Sequence, residues 1–154
     1  MALKARSQHP YAAAGAFLGA TTTAAQAIER GLPHSSLLKL KQSLGLTDAA
    51  LARLIGVSPR TLSRLRVKPR LAGSKPAPEP AVPLDPVVSD RLFRFANLFV
   101  RARDLLGAED AARDWLTTAQ RGLGGLVPLD VAATEPGARD VEALLHRIEH
   151  GVYS

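Results

Sequence analysis

Apolar residues recur every three or four positions through much of this chain of 154 residues, and this spacing restricts the fold more than any other feature. One stripe follows Asp85-Pro86, a pair typical of a helix start. It runs at intervals of 4, 3, 4, 3 and 4 through Val88, Leu92, Phe95, Phe99, Ala102 and Leu106. No segment shows the alternation of a β-strand with comparable strength. The pattern predicts an all-α fold that contains one long amphipathic helix.

Two further segments have the same helical period. A Leu-rich segment begins at Ser35 and Ser36, which we expect to cap a helix, and Gly45 provides its end. Near the C terminus, Thr134 is a candidate cap for a last helix. Its apolar stripe consists of Ala138, Val141, Leu145, Ile148 and Val152.

Composition excludes several classes of protein. The chain has no cysteine, which removes disulfides, thiolate nucleophiles and cysteine metal sites. No apolar run approaches the roughly 18 residues of a membrane-spanning helix. Lys4 and Arg6 precede an Ala/Gly-rich stretch that is too weakly hydrophobic for a signal peptide. We therefore expect a cytoplasmic protein without a membrane partner.

A proline-rich stretch divides the chain. Repeated proline between Gly73 and Pro83 favours extended backbone, so this stretch is interpreted as a linker. The Ala/Thr-rich leader is compatible with a helix, a dimerisation segment or disorder. The predicted units are a leader (1–27), a DNA-binding domain (28–72), the linker (73–84) and a C-terminal domain (85–154).

Charge is distributed unequally between the two halves of the sequence. Residues 1–75 contain 12 Lys and Arg against 2 Asp and Glu, whereas residues 76–154 contain 8 against 12. A basic half attracts polyanions such as nucleic acid, and an acidic half does not. The chain is thus expected to serve two unlike partners, although a merely solvated basic surface is the alternative.

Residues 47–66 have the spacing of a helix-turn-helix. Thr47 is a candidate cap, small Ala52 allows two helices to cross closely, and Gly56 permits the positive φ of the turn. Ser58-Pro59 then caps and starts a second helix. A simple packing hairpin with a basic surface is the alternative interpretation.

The second helix is basic and rich in hydroxyl groups, as insertion into a major groove requires. Arg60, Arg64 and Lys68 are spaced to share one exposed stripe. The predicted DNA-binding residues are Ser58, Arg60, Thr61, Ser63, Arg64 and Lys68. The segment resembles the Xre-like helix-turn-helix family of bacterial regulators. Asp48 departs from the Gln common after the cap in that family, and its carboxylate is expected to repel phosphate.

The C-terminal part is acidic and has a distinct series of motifs. Residues 104–154 carry 4 Arg against 9 Asp and Glu, and are expected to form a short helix, a glycine turn, a short helix and a long helix. The motifs are Trp115-Leu116, Leu123-Gly-Gly125, Pro128-Leu-Asp130, Thr134-Glu135, Gly137-Ala-Arg139 and Glu149-His-Gly-Val152. This series resembles the toxin-binding domain of Xre/MbcA/ParS antitoxins. With the helix-turn-helix, it covers about residues 28–154.

This resemblance implies a non-enzymatic type II antitoxin without a cofactor, whose partner is a RES-domain toxin that consumes NAD. The C-terminal domain would cover the toxin's active site, and the helix-turn-helix would repress the shared operon, usually as a homodimer. Glu149 and the terminal carboxylate of Ser154 would mimic the anionic pyrophosphate. The residues expected to face the toxin are Arg139, Glu142, Glu149, His150, Gly151, Val152, Tyr153 and Ser154.

Other functions are less well supported by the sequence. His146-Arg-Ile-Glu-His150 matches the inverted zinc-protease signature, but only four residues follow it, so we expect exposed helix polarity and no metal site. Gly122–Gly125 lacks the Lys and Ser/Thr of a phosphate-binding loop. The main alternative is a plain transcriptional repressor whose C-terminal domain dimerises or senses a ligand.

Overall fold

The computed structural model describes residues 11–66, 73 and 82–151, and within these ranges the chain is all-α, as predicted. Short turns connect the helices, and residues 121–123 form one turn of 3-10 helix. The only strand-like feature of the described ranges is a single bridge between Gln120 and Leu126. The helices are α1 (Ala12–Phe17), α2 (Ala24–Arg30), α3 (Ser35–Leu44), α4 (Asp48–Ile55), α5 (Pro59–Leu65), α6 (Pro86–Leu106), α7 (Glu109–Thr117), α8 (Pro128–Val131) and α9 (Glu135–Glu149).

Helix α6 lies at the centre of the fold. It packs against α1, α2, α3 and α4 on the N-terminal side of the chain and against α7 and α9 on the C-terminal side. The predicted stripe is buried from Val88 to Ala102, with Phe95 and Phe99 fully buried. Leu106 is an error of the prediction: it lies in the last turn and is 36% exposed. None of the helices in the described part of the chain combines the length and apolar character needed to cross a bilayer.

The described part of the leader is ordered by packing against this helix. Helices α1 and α2 both contact α6. The rings of Phe17 and Phe99 lie 5.4 Å apart, and Leu18 and Ala27 are buried in the same core. Of the three possibilities that composition left open, helix is found at residues 12–17 and 24–27, and dimerisation remains a prediction; residues 1–10 lie outside the described part.

Most of the helices for which the sequence predicts an N-cap residue begin at that residue, and its side chain makes the cap bond. The side chains of Thr47, Asp85 and Thr134 each accept backbone N–H groups of the helix that follows. The prediction for α3 is wrong, because its N-cap is His34, which makes no side-chain cap bond. Ser36 is buried instead, and its hydroxyl donates to the Leu18 carbonyl at 3.1 Å.

Residues 82–84 at the end of the predicted linker contact the start of the helix-turn-helix region. The Leu84 N–H donates to the Leu32 carbonyl at 3.0 Å, and both residues are buried. The nitrogens of the buried His34 ring lie 2.5 Å from the Leu65 carbonyl oxygen and 3.0 Å from that of Val82. The helices before and after residues 73–84 share one hydrophobic core. The assignment of residues 73–84 as a linker between two domains remains a prediction.

Replacing Phe99 by Ala is expected to destabilise the whole described fold, because this fully buried ring lies where α1 meets α6. We expect a loss of about 3–5 kcal/mol in the free energy of unfolding, measured by urea denaturation followed by circular dichroism. Val87→Ala, at an exposed position of the same helix, is the control and should change stability by less than about 0.5 kcal/mol. Equal effects of the two substitutions would contradict the central role of α6.

Candidate functional site

Helices α4 and α5 form the helix-turn-helix that the sequence predicts. Ala52 is buried between them, and Gly56 has φ 70°, the left-handed conformation that glycine adopts at low cost. The Ser58 hydroxyl oxygen accepts the Thr61 N–H at 3.1 Å and caps α5. Leu62 is buried against the core. The corner is therefore fixed by local sequence, as expected.

The predicted recognition surface lies on the outer side of α5. Ser58, Arg60, Thr61, Ser63 and Arg64 are all exposed. Neither Arg60 nor Arg64 forms an ion pair with any residue that the structure describes. Both guanidinium groups are available to a ligand. Helix α5 ends at Leu65, however, so only Arg60 and Arg64 of the predicted stripe lie within the helix. Lys68 lies outside the described residues.

The neighbouring carboxylate of Asp48 is held by two cations. Its two oxygens lie 2.7 Å from the Lys41 ammonium and 2.6 Å from the Arg66 guanidinium. The contact with Lys41, together with the charge of Arg66, lowers the pKa of Asp48 against the cost of burial. The carboxylate is thus paired with two cations, and the expectation that it repels phosphate remains a prediction. The sequence does not reveal this cluster because its members come from three different elements: α3, α4 and the end of α5.

Arginine side chains from the C-terminal part reach the helix-turn-helix region. Arg91 of α6 donates to the Ile55 carbonyl at 2.7 Å, at the end of α4. Arg113 of α7 donates to the Ser43 carbonyl at 2.9 Å, in the last turn of α3. Carbonyls at helix ends lack intrahelical partners, so these contacts satisfy them and fix the helix-turn-helix against the rest of the protein.

The C-terminal region has the predicted order of short helix, glycine turn, short helix and long helix. Leu116 of α7 is fully buried and Trp115 partly buried. Gly124 and Gly125 both have positive φ in the reversal between α7 and α8. Helix α9 then packs against α6 and α8. The predicted stripe of α9 is buried at Ala138, Val141 and Leu145 and partly buried at Ile148; Val152 lies outside the described part.

The residues predicted to face a toxin fall at two places on α9. Arg139 is exposed near its start and pairs with Glu135 at 2.6 Å. Glu142 is half-buried and accepts a hydrogen bond from Asn97 at 2.7 Å, so this carboxylate is committed to α6. Both side chains line a cavity of about 390 Å³ between α2, α6 and α9.

The second group of predicted toxin-facing residues lies at the other end of α9. Glu149, His150 and Gly151 are exposed, about 15 Å along the helix from Arg139 at 1.5 Å per residue. Val152, Tyr153 and Ser154 lie outside the described residues. Imidazole and carboxylate atoms of His146, Glu149 and His150 lie within 4.8 Å of one another on an exposed surface. The structure thus brings the His-x-x-Glu-His motif together, and the expectation of no metal site there remains a prediction.

Comparison with known proteins assigns a class to both regions. Residues 23–76 match the family described as the antitoxin Xre-like helix-turn-helix domain. Residues 101–151 match the antitoxin Xre/MbcA/ParS C-terminal toxin-binding domain. The two regions together define an antitoxin of the helix-turn-helix class, in agreement with the resemblance found in the sequence.

Relatives that match most of the chain show the family to which it belongs. A protein named Antitoxin Xre from Yersinia enterocolitica is 32% identical over 152 residues, covering 88% of this chain and 95% of that protein. Another of that name from Photorhabdus laumondii is 33% identical over 128 residues, covering 82% and 78% respectively. The chain belongs to the Xre antitoxin family. Its fold is similar to that of a chain in the crystal structure of the M. tuberculosis MbcT-MbcA toxin-antitoxin complex, with TM-score 0.50, 22% identity and coverage of 79% of this chain and 96% of that one.

The ion cluster around Asp48 predicts a pH-dependent contribution to stability. Because its pKa is lower in the folded chain, the carboxylate stabilises the fold above its ordinary pKa of about 3.8, and this contribution disappears as pH falls through the folded-state pKa. Asp48→Asn should therefore be less stable than the unsubstituted chain at pH 7, and the difference should narrow as the pH is lowered below 4. Urea midpoints of the two chains across this pH range test the prediction. A difference that stays constant would contradict it.

Proposed function

We propose that the chain neutralises a cognate RES-domain toxin, which consumes NAD, and represses its own operon through the helix-turn-helix. It acts by contact and not by catalysis: the C-terminal domain covers the active site of the toxin. The observation that carries this proposal is the presence, in one chain, of an Xre-like helix-turn-helix domain and an Xre/MbcA/ParS toxin-binding domain. The domain limits, homodimerisation and cytoplasmic location predicted above belong to the same proposal.

The geometry of α5 supports DNA recognition. Arg60 and Arg64 are exposed and unpaired among the described residues, and they stand one helical turn apart. Guanidinium groups on a helix that enters the major groove pair with guanine edges or neutralise phosphates. The Ser58 cap fixes the start of this helix, which is the end that reaches base edges.

The charge and the position of the C-terminal end of α9 support toxin binding. A site that binds the pyrophosphate of NAD requires positive charge, and the C-terminal region from residue 104 carries an excess of acidic side chains. Glu149 lies exposed at the end of α9, next to the C-terminal residues. An anionic end of the chain is complementary to such a site, and Tyr153 provides a candidate aromatic anchor.

Replacing Arg60 or Arg64 by Ala should weaken binding to the DNA upstream of the chain's own gene. A lost base contact costs about 1–3 kcal/mol and reduces specificity, whereas a lost phosphate contact lowers the salt dependence by about one charge. Fluorescence anisotropy over a range of salt concentrations distinguishes the two. Arg30→Ala, at an exposed position on α2, is the control. Unchanged binding in both α5 variants would reject this recognition helix.

Deleting Gly151–Ser154 should weaken toxin neutralisation and leave DNA binding intact. The assay is co-expression with the toxin encoded by the neighbouring gene, followed by growth and cellular NAD. Glu149→Gln should produce a smaller loss, and Glu29→Gln, the same charge change on α2, should have no effect. Full protection by the truncated chain would reject active-site covering by this end. A chain that binds DNA but no neighbour-encoded toxin would be an ordinary repressor.

A further inference from the structure

The ion cluster formed by Lys41, Asp48 and Arg66 has a consequence for DNA binding. We propose that Asp48 reduces the affinity of the helix-turn-helix for DNA by holding two cations that would otherwise contact phosphates. This inference rests on the proposed DNA-binding function and adds a residue that sets its strength. The geometry of the cluster and its place in the helix-turn-helix support it.

Each oxygen of the Asp48 carboxylate contacts a different cation. Lys41 of α3 lies at 2.7 Å from one oxygen, and Arg66, the residue after α5, lies at 2.6 Å from the other. The Arg66 contact is a charge-assisted hydrogen bond, and the Lys41 contact is a close ion pair. A DNA phosphate that recruits either cation must displace the carboxylate, so part of the phosphate's electrostatic attraction is lost.

The cluster lies where a helix-turn-helix meets the DNA backbone. Asp48 is the first residue of α4, and the first helix of the motif crosses the backbone. The N-terminus of a helix favours an anion, and here the chain provides one of its own. Arg60 and Arg64 on α5, by contrast, have no such partner in the described part of the chain. The recognition helix is thus left free, while the cations beside it are restrained.

The proposal predicts a specific pattern of change. Phosphate contacts carry no sequence information directly, so releasing Lys41 and Arg66 should strengthen binding to all DNA equally. Each phosphate newly neutralised should steepen the plot of log affinity against log salt by about 0.9. The ratio between specific and non-specific affinity should stay constant.

The experiment measures binding of Asp48→Asn to two duplexes across a range of salt. One duplex carries the DNA upstream of the chain's own gene, and the other is an unrelated sequence of equal length. We expect about tenfold tighter binding to both at low salt and a salt slope steeper by about one to two charges. Asp140→Asn, an equal change of net charge at an exposed position of α9, is the control and should change affinity less than twofold.

Two further variants distinguish an effect of the ion cluster on DNA affinity from an effect of net charge. Lys41→Gln should weaken DNA binding by less than fivefold in the unsubstituted chain, because Asp48 already holds this cation, although it also holds Arg66. In the Asp48→Asn background, the same substitution should remove several-fold of the gain. Circular dichroism confirms that each variant is folded, and the single Lys41→Gln measurement tests the proposal even if Asp48→Asn fails to fold.

The outcomes distinguish this inference from the proposed function. If the unsubstituted chain binds DNA and Asp48→Asn binds with the same affinity and salt slope, Asp48 does not restrain the cations and the inference is wrong. A loss greater than fivefold in Lys41→Gln alone would also overturn it. If neither chain binds either duplex at the lowest salt, the DNA-binding function itself fails and the inference falls with it.

Discussion

Burial of both sides of α6 is the interaction on which the rest of the structure depends. In this helix of 21 residues, all six residues from 95 to 100 are buried, which requires packing partners around most of its circumference. The N-terminal helices supply some of them, and α7 and α9 supply the others. The two regions matched to separate antitoxin domains therefore rest on one common helix, most of which lies between the matched stretches.

Polar contacts then set the orientation of the helix-turn-helix on this core. Arg91 and Arg113 bind carbonyls at the ends of α4 and α3, and Arg53 of α4 pairs with Asp130 of α8 at 2.8 Å. The Arg53 pair is largely exposed, so it contributes little energy, but the two arginine–carbonyl contacts are partly buried. These two contacts join α6 and α7 directly to α4 and α3.

Local signals in the sequence predicted much of this fold. The caps Thr47, Ser58, Asp85 and Thr134 act over a few residues and are confirmed, and the apolar period of α6 is confirmed as far as Ala102. The error at the start of α3 has a tertiary cause, since Ser36 turns inward to a carbonyl 18 residues earlier in the chain. The ordered structure of the described leader also has a tertiary cause, because Phe17 packs on Phe99 of α6, more than 60 residues away.

The candidate sites were predictable to different degrees. Exposure of Arg60 and Arg64 follows from the helical period once Leu62 is buried. The commitment of Glu142 to Asn97, and of Asp48 to Lys41 and Arg66, does not, because long side chains pair across helices whose relative positions the sequence does not reveal.

One buried imidazole has a consequence for where this chain can be lengthened. The ring of His34 touches the carbonyls of both Leu65 and Val82, so a single side chain joins the two ends of the segment between them. The entropy of closing such a loop grows only as the logarithm of its length, by about 0.6 kcal/mol for each doubling. A reporter peptide inserted between residues 73 and 82, away from Arg66 and Lys68, therefore has wide freedom in length as long as the contacts of His34 are kept.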